Sequence, residues 1–157
     1  MNKDSRKKRE NRFWENLSLD DLSDAQWESL CDKCGLCCLH RFEDNLSDEL
    51  KYTNISCQFL KNNNGCSVYS DRDSVKGCLN LRAIPRHQYR WLPDTCAYKR
   101  LWKGEDIPDW HPLITGTAET ISVYGHKIGS WSLSDKKIKP KLRDVIPLLD
   151  IIQFPEN

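Results

Sequence analysis

The chain has 157 residues, of which 38% are hydrophobic and 30% charged, with a formal net charge of +1 and a mean hydropathy of −0.71. That length suits one domain and leaves no room for two large cores. Six Trp, five Tyr and four Phe exclude a disordered chain, which would be poor in aromatics, and no run approaches the ~18 apolar residues of a membrane helix.

Residues 1–12 carry six basic and two acidic side chains and read as a flexible basic tail. No apolar stretch follows, so the expected location is cytoplasmic, where thiols stay reduced. Residues 13–30 read as helical. Ser23 and Gln26 are spaced for a capping box, with Leu22 and Trp27 as its hydrophobic staple. Leu30, Cys31 and Cys34 continue the apolar face from Trp27, and Gly35 is placed to end the helix in a left-handed turn. Residues 50–57 have strand composition. Asn62-Asn63-Asn64-Gly65 is a turn signal, and residues 66–69 suggest a short returning strand. Residues 70–95 read as irregular and 95–103 as a short helix. Residues 107–112 read as extended or turned, because proline disfavours α before it. A strand over 121–128 and a weak terminal helix over 144–152 complete the reading. The fold class is α+β: a small single domain whose loop-rich centre is stapled by a cysteine-ligated metal site. Its expected divisions are a tail over 1–12, a cysteine-cluster domain over 13–130 and a C-terminal basic segment over 131–157.

All eight cysteines lie between Cys31 and Cys96. In a reducing compartment such a density reads as metal ligation rather than disulfides. Cys31, Cys34, Cys37 and Cys38 form the most specific feature. Thiols spaced C-x2-C-x2-C converge on one centre because a tight turn brings residues i and i+3 together. Two templates compete. Ferredoxin clusters share the first three cysteines and their two spacings but then need C-x3-C-P. Zinc ribbons need two C-x2-C pairs, and Cys57, Cys66, Cys78 and Cys96 supply no second pair. All eight are soft ligands, which favours zinc or iron, including an iron–sulfur cluster, over magnesium or calcium. Cys31, Cys34 and Cys37 are expected to share a centre with at least one of the four remote cysteines.

Here the chain resembles the YkgJ/YcgN-type cysteine-cluster proteins, a functionally uncharacterised family. The resemblance covers about residues 13–128. Its matching segments are 24–31 (Asp-Ala-Gln-Trp-Glu-Ser-Leu-Cys), 34–40 (Cys-Gly-Leu-Cys-Cys-Leu-His), 52–57 (Tyr-Thr-Asn-Ile-Ser-Cys), 91–100 (Trp-Leu-Pro-Asp-Thr-Cys-Ala-Tyr-Lys-Arg) and 109–116 (Asp-Trp-His-Pro-Leu-Ile-Thr-Gly). It implies zinc or iron chelation by the eight cysteines and supplies no reaction.

His40 reads as an outer partner of the cluster rather than a ligand, and His111 as a structural loop histidine rather than a general base. Arg72, Arg82, Arg86, Arg90 and Arg100 read equally as balancing thiolate charge or as ordinary surface residues. Trp91, Trp102 and Trp110 read as core covering the stapled region. The basic runs at 1–12 and 136–143 read as solvated, with a nucleic-acid footprint the less favoured alternative. Common enzyme motifs are absent. The expected function is a cytoplasmic metal-binding protein. The alternatives are an iron–sulfur enzyme or electron carrier, and a zinc-scaffolded module for nucleic-acid or protein contact.

Overall fold

The computed structural model describes residues 12–47, 49–123 and 128–146. The stretch expected to be one helix over 13–30 is broken into two 3-10 turns, Phe13–Glu15 and Leu19–Asp21, and helix α1, Asp24–Ser29. The break falls at Ser18 and Leu22, both extended, and Ser18 Oγ donates to Asp21 Oδ2 at 2.7 Å across the second turn. Ser23 then restarts the helix with the expected capping box. Its Oγ accepts from Gln26 N at 3.2 Å while its own N–H donates to Gln26 Oε1 at 2.9 Å.

Helix α1 ends at Ser29, well before Gly35. Gly35 is left-handed as expected, with φ +81°, but it opens the 3-10 turn Leu36–Cys38 instead of closing a helix. The reason lies at Asp32, whose Oδ1 accepts from Cys34 N at 3.0 Å. That bond closes a local turn where helix continuation would have required a backbone partner.

Strand β1, Leu39–Glu43, was not anticipated. It pairs antiparallel with β2, Leu50–Ser56, with an irregularity in register between Leu39 and Arg41. Strand β3, Leu133–Ser134, adds to the other edge of β2 in parallel, and Val145 bridges Thr53. Residues 66–69 make only a single bridge, Leu60 to Cys66, before the 3-10 turn Tyr69–Ser74. The irregular stretch 70–95 holds a second 3-10 turn, Arg86–Trp91, and is followed by helix α2, Ala97–Trp102. Helix α3, Pro112–Thr115, begins on a proline at a helical N-terminus, where its missing N–H costs nothing.

The strand expected over 121–128 is corrected. Residues there belong to helices α4, Glu119–Val123, and α5, Ile128–Trp131, with 124–127 outside the described residues. Thr117 Oγ1 accepts from Glu119 N at 3.2 Å and starts α4. Local capping and burial of Ile121 against the Trp110 cluster outweigh β-branched composition. The terminal helix expected from 144 is also corrected at its start: Val145 is extended in its bridge to Thr53, while 147–152 lie outside the described residues. The fold is α+β.

The core has two parts. Trp14, Leu22, Trp27, Leu30, Tyr89, Leu92, Ala97, Tyr98 and Ile107 pack on the helical side. Cys34, Leu36, Leu39, Tyr52, Trp110, Ile121 and Ile128 pack under the sheet. The cysteine loop 31–38 runs from one to the other, leaving the first at Leu30 and entering the second at Cys34.

Candidate metal centre

The loop's shape is set by three local devices. Asp32 turns the backbone at Cys34. Gly35 takes a φ of +81°, and a Cβ there would press on Asn64 Cγ at 3.2 Å. Asn64 Nδ2 in turn donates to Cys34 O at 3.0 Å, while its Oδ1 accepts from Gly129 N at 2.6 Å, so one side chain ties the loop to α5.

All eight cysteines are free thiols, and Cys34 is buried. Their electrostatic neighbourhoods divide them. Burial pushes the Cys31 thiol up to about 12, reinforced by the charges of Cys37 and Asp32. Cys34 is raised well above its ordinary value by burial, then by Asp32, Cys37 and Cys31. Cys96 caps α2 and is raised by burial, then by Asp32, Cys31 and Cys37. Cys37 goes the other way: a hydrogen bond from Cys38, helped by Arg41, lowers it to about 7. The triplet and the remote Cys96 therefore share one neighbourhood, with Asp32 in it.

The second neighbourhood gathers where β2 ends. Cys57 N donates to Cys38 O at 2.8 Å, which sets the vicinal cysteine beside a remote one. Cys38 is raised by its hydrogen bond to Cys37, then by burial and by the charges of Cys37, Cys57 and Cys78. Cys57 is raised by burial, Asp135 and Cys66, and Cys78 by burial, Cys37, Cys66 and Cys57. Among the described residues, no three Cys, His, Asp or Glu side chains stand close enough to grip one ion as placed. The two groups are neighbourhoods of thiols, not closed coordination shells. The chemistry of the donor set fits zinc or iron: soft sulfurs, unpaired with one another, beside the buried and unpartnered Asp32 Oδ2.

The comparisons with known proteins agree with this donor set. A family model described as "CxxCxxCC: Putative zinc- or iron-chelating domain" matches residues 30–97. A UPF0260 protein of Rhizorhabdus wittichii is 42% identical over 125 residues, covering 78% of this chain and 86% of the relative. One of Vibrio cholerae is 44% identical over 111 residues, covering 69% and 77%. One of Shewanella baltica is 38% identical over 143 residues, covering 88% and 98%. The chain belongs to the UPF0260 family. No solved structure matches it.

Two histidines of this UPF0260 protein, His40 and His111, have their partners outside the thiol groups. His40 Nε2 meets Asp135 Oδ2 at 2.7 Å, and Asp135 Oδ1 accepts from Gln58 N at 2.9 Å, next to Cys57. His111 is fully buried. Leu113 N donates to its Nδ1 at 3.0 Å, so Nε2 carries the proton and donates to Leu30 O at 2.8 Å. It is the structural histidine that the sequence suggested.

Four of the five arginines follow the surface alternative. Arg82 pairs with Asp24, Arg86 with Asp20 at 2.6 Å, Arg90 with Glu43 at 3.8 Å and Arg100 with Glu105 at 3.6 Å. Of the five, Arg72 alone acts on a cysteine, lowering Cys78. The arginine acting on Cys37 is Arg41, on β1, a strand that the sequence reading had missed. The tryptophans are corrected as well: Trp110 is core, but Trp102 is 40% exposed, and the helical-side core is built on Trp14 and Trp27. Asp32 was missed too, although an acid between two cysteines three apart is a readable signal. Among the described residues, no helix is long and apolar enough to cross a membrane.

Proposed function

We propose that this UPF0260 protein is a cytoplasmic metal chelator whose eight cysteines hold zinc or iron in two four-thiolate groups. Cys31, Cys34, Cys37 and Cys96 form the first, and Cys38, Cys57, Cys66 and Cys78 the second. The observation that supports this reading is that Cys31, Cys34, Cys37 and Cys96 act on one another and that Cys38, Cys57 and Cys78 feel a second group that includes Cys66, with Cys37 acting on both. Bound zinc or iron supplies the positive charge that lets neighbouring thiols ionise together. Cys37 is the first thiolate available near neutral pH, steadied by the Cys38 thiol and by Arg41. Asp32, Gly35 and Asn64 hold the loop turned.

An iron–sulfur cluster in the first set is the second reading, favoured by the C-x2-C-x2-C triplet on one loop. Anaerobic purification with quantification of zinc, iron and acid-labile sulfide tests both. Colourless protein with two zinc per chain supports zinc, and coloured protein with sulfide supports the cluster. Metal-free protein with a full thiol titre, unable to take up either metal, overturns the function.

A further inference from the structure

Asp32 holds a position in the first thiol set that its backbone role does not use up. Its residue is only 9% exposed. Oδ1 accepts from Cys34 N at 3.0 Å, but Oδ2 is buried without a hydrogen-bond partner among the described residues. No ion pair among those residues reaches it. A buried carboxylate is stable only when its charge is paired or bound to a cation. The groups that feel the charge of Asp32 are Cys31, Cys34, Cys37 and Cys96, which carry either no charge or a negative one. Two further buried hydroxyls lack a hydrogen-bond partner among the described residues: Tyr52 Oη, which feels Cys34 and Cys37, and Thr95 Oγ1, next to Cys96 in sequence. A buried polar atom left unmet calls for a partner.

We infer that Asp32 Oδ2 is itself a metal ligand, giving the Cys31/Cys34/Cys37/Cys96 centre a mixed thiolate–carboxylate character. This rests on the chelating function proposed above. A hard oxygen among soft sulfurs suits zinc or iron and disfavours copper(I). It also separates the two thiol sets chemically. The second set has Asp135 near Cys57, but Asp135 is occupied by Gln58 N–H and His40.

The test is cobalt(II) titration of the full-length chain and of Asp32→Asn, with chelator competition and X-ray absorption of the loaded proteins. Asparagine keeps an oxygen for Cys34 N–H and nearly the same volume, but removes the charge. In D32N the first centre should bind about 10–100-fold more weakly, the scale seen when a metal site loses a supporting group, and its cobalt d–d bands should change. The wild-type protein should show an oxygen scatterer at about 2.0–2.2 Å beside sulfur at about 2.3 Å. Unchanged affinity and bands in a D32N protein with wild-type melting behaviour overturn the proposal. If D32N does not fold, the wild-type spectrum decides: a sulfur-only shell overturns it. Those outcomes leave the chelating function standing, whereas a wild-type chain that takes up no metal removes both.

Discussion

The Tyr98 hydroxyl donates to the carbonyl oxygen of Trp27 at 2.6 Å, and the two rings lie 4.8 Å apart, centroid to centroid. This buried contact clamps α2, which begins beside Cys96, to α1, whose end leads into Cys31. It is the packing reason that cysteines 65 residues apart in sequence share one neighbourhood. Replacing Tyr98 by Phe should remove one of the two hydrogen bonds that the Trp27 carbonyl accepts, leaving the one from Leu30 N, and cost about 0.5–1.5 kcal/mol. Urea unfolding of the metal-free protein measures the loss, and metal titration should show the first set weakened more than the second. An unchanged midpoint would mean that the clamp contributes nothing.

His111 links the same region to the second core. It accepts from Leu113 N and donates to Leu30 O, one residue before Cys31. His111→Ala should remove both bonds and open a cavity, destabilising the protein by about 2–4 kcal/mol. Denaturant unfolding checks this. A catalytic histidine would instead leave the unfolding midpoint near the wild-type value.

Gly129 tests the tie between α5 and the turn that holds Asn64. A Cβ at this position would collide with the carbonyl oxygen of Lys61, which is backbone and cannot rotate away. Gly129→Ala should therefore destabilise by about 1–3 kcal/mol, against the small gain that alanine usually brings to a helix. A raised melting temperature in G129A would contradict the packing.

Thiol reactivity gives a pH test. Cys37 is lowered from an ordinary 9.0 to about 7, so metal-free protein at pH 7.5 should be alkylated fastest at this cysteine, as peptide mapping would show. Cys38→Ala removes the hydrogen bond that is the main cause of the lowering, and should slow that reaction at the same pH. Equal labelling of Cys37 in both proteins would refute the assignment.

Stability follows the opposite sign for the buried Cys34 thiol. Burial raises it well above its ordinary 9.0, so above pH 9 the unfolded chain loses this proton while the folded chain keeps it. Stability of the metal-free protein should then be fully present below pH 9 and fall as pH rises above it. Metal loading reverses the dependence, because ligation displaces thiol protons. Affinity should rise with pH, and loading in weak buffer should release protons that an indicator can count.

Much of this molecule was readable from local chemistry. The capping box at Ser23 and Gln26, the strand at 50–56, the helix at 97–102 and the turn between Cys31 and Cys34 each depend on residues within four or five positions of one another. The eight cysteines announced soft-metal chemistry by type and spacing alone, and the α+β class followed from element composition. Which thiols stand together was not readable. Cys96 reaches the triplet through the Trp27–Tyr98 contact, and Cys57 reaches Cys38 through the pairing of β1 with β2. The same tertiary context turned residues 119–123 and 128–131 into helices despite their β-branched composition. It also enclosed Asp32, an ordinary turn residue in sequence, so that one oxygen is left buried without a hydrogen-bond partner among the described residues. Composition and spacing selected the chemistry, because ligand softness belongs to the side chain. Packing over long sequence separations decided the grouping, because burial and charge proximity exist only once the two cores have closed on the loop.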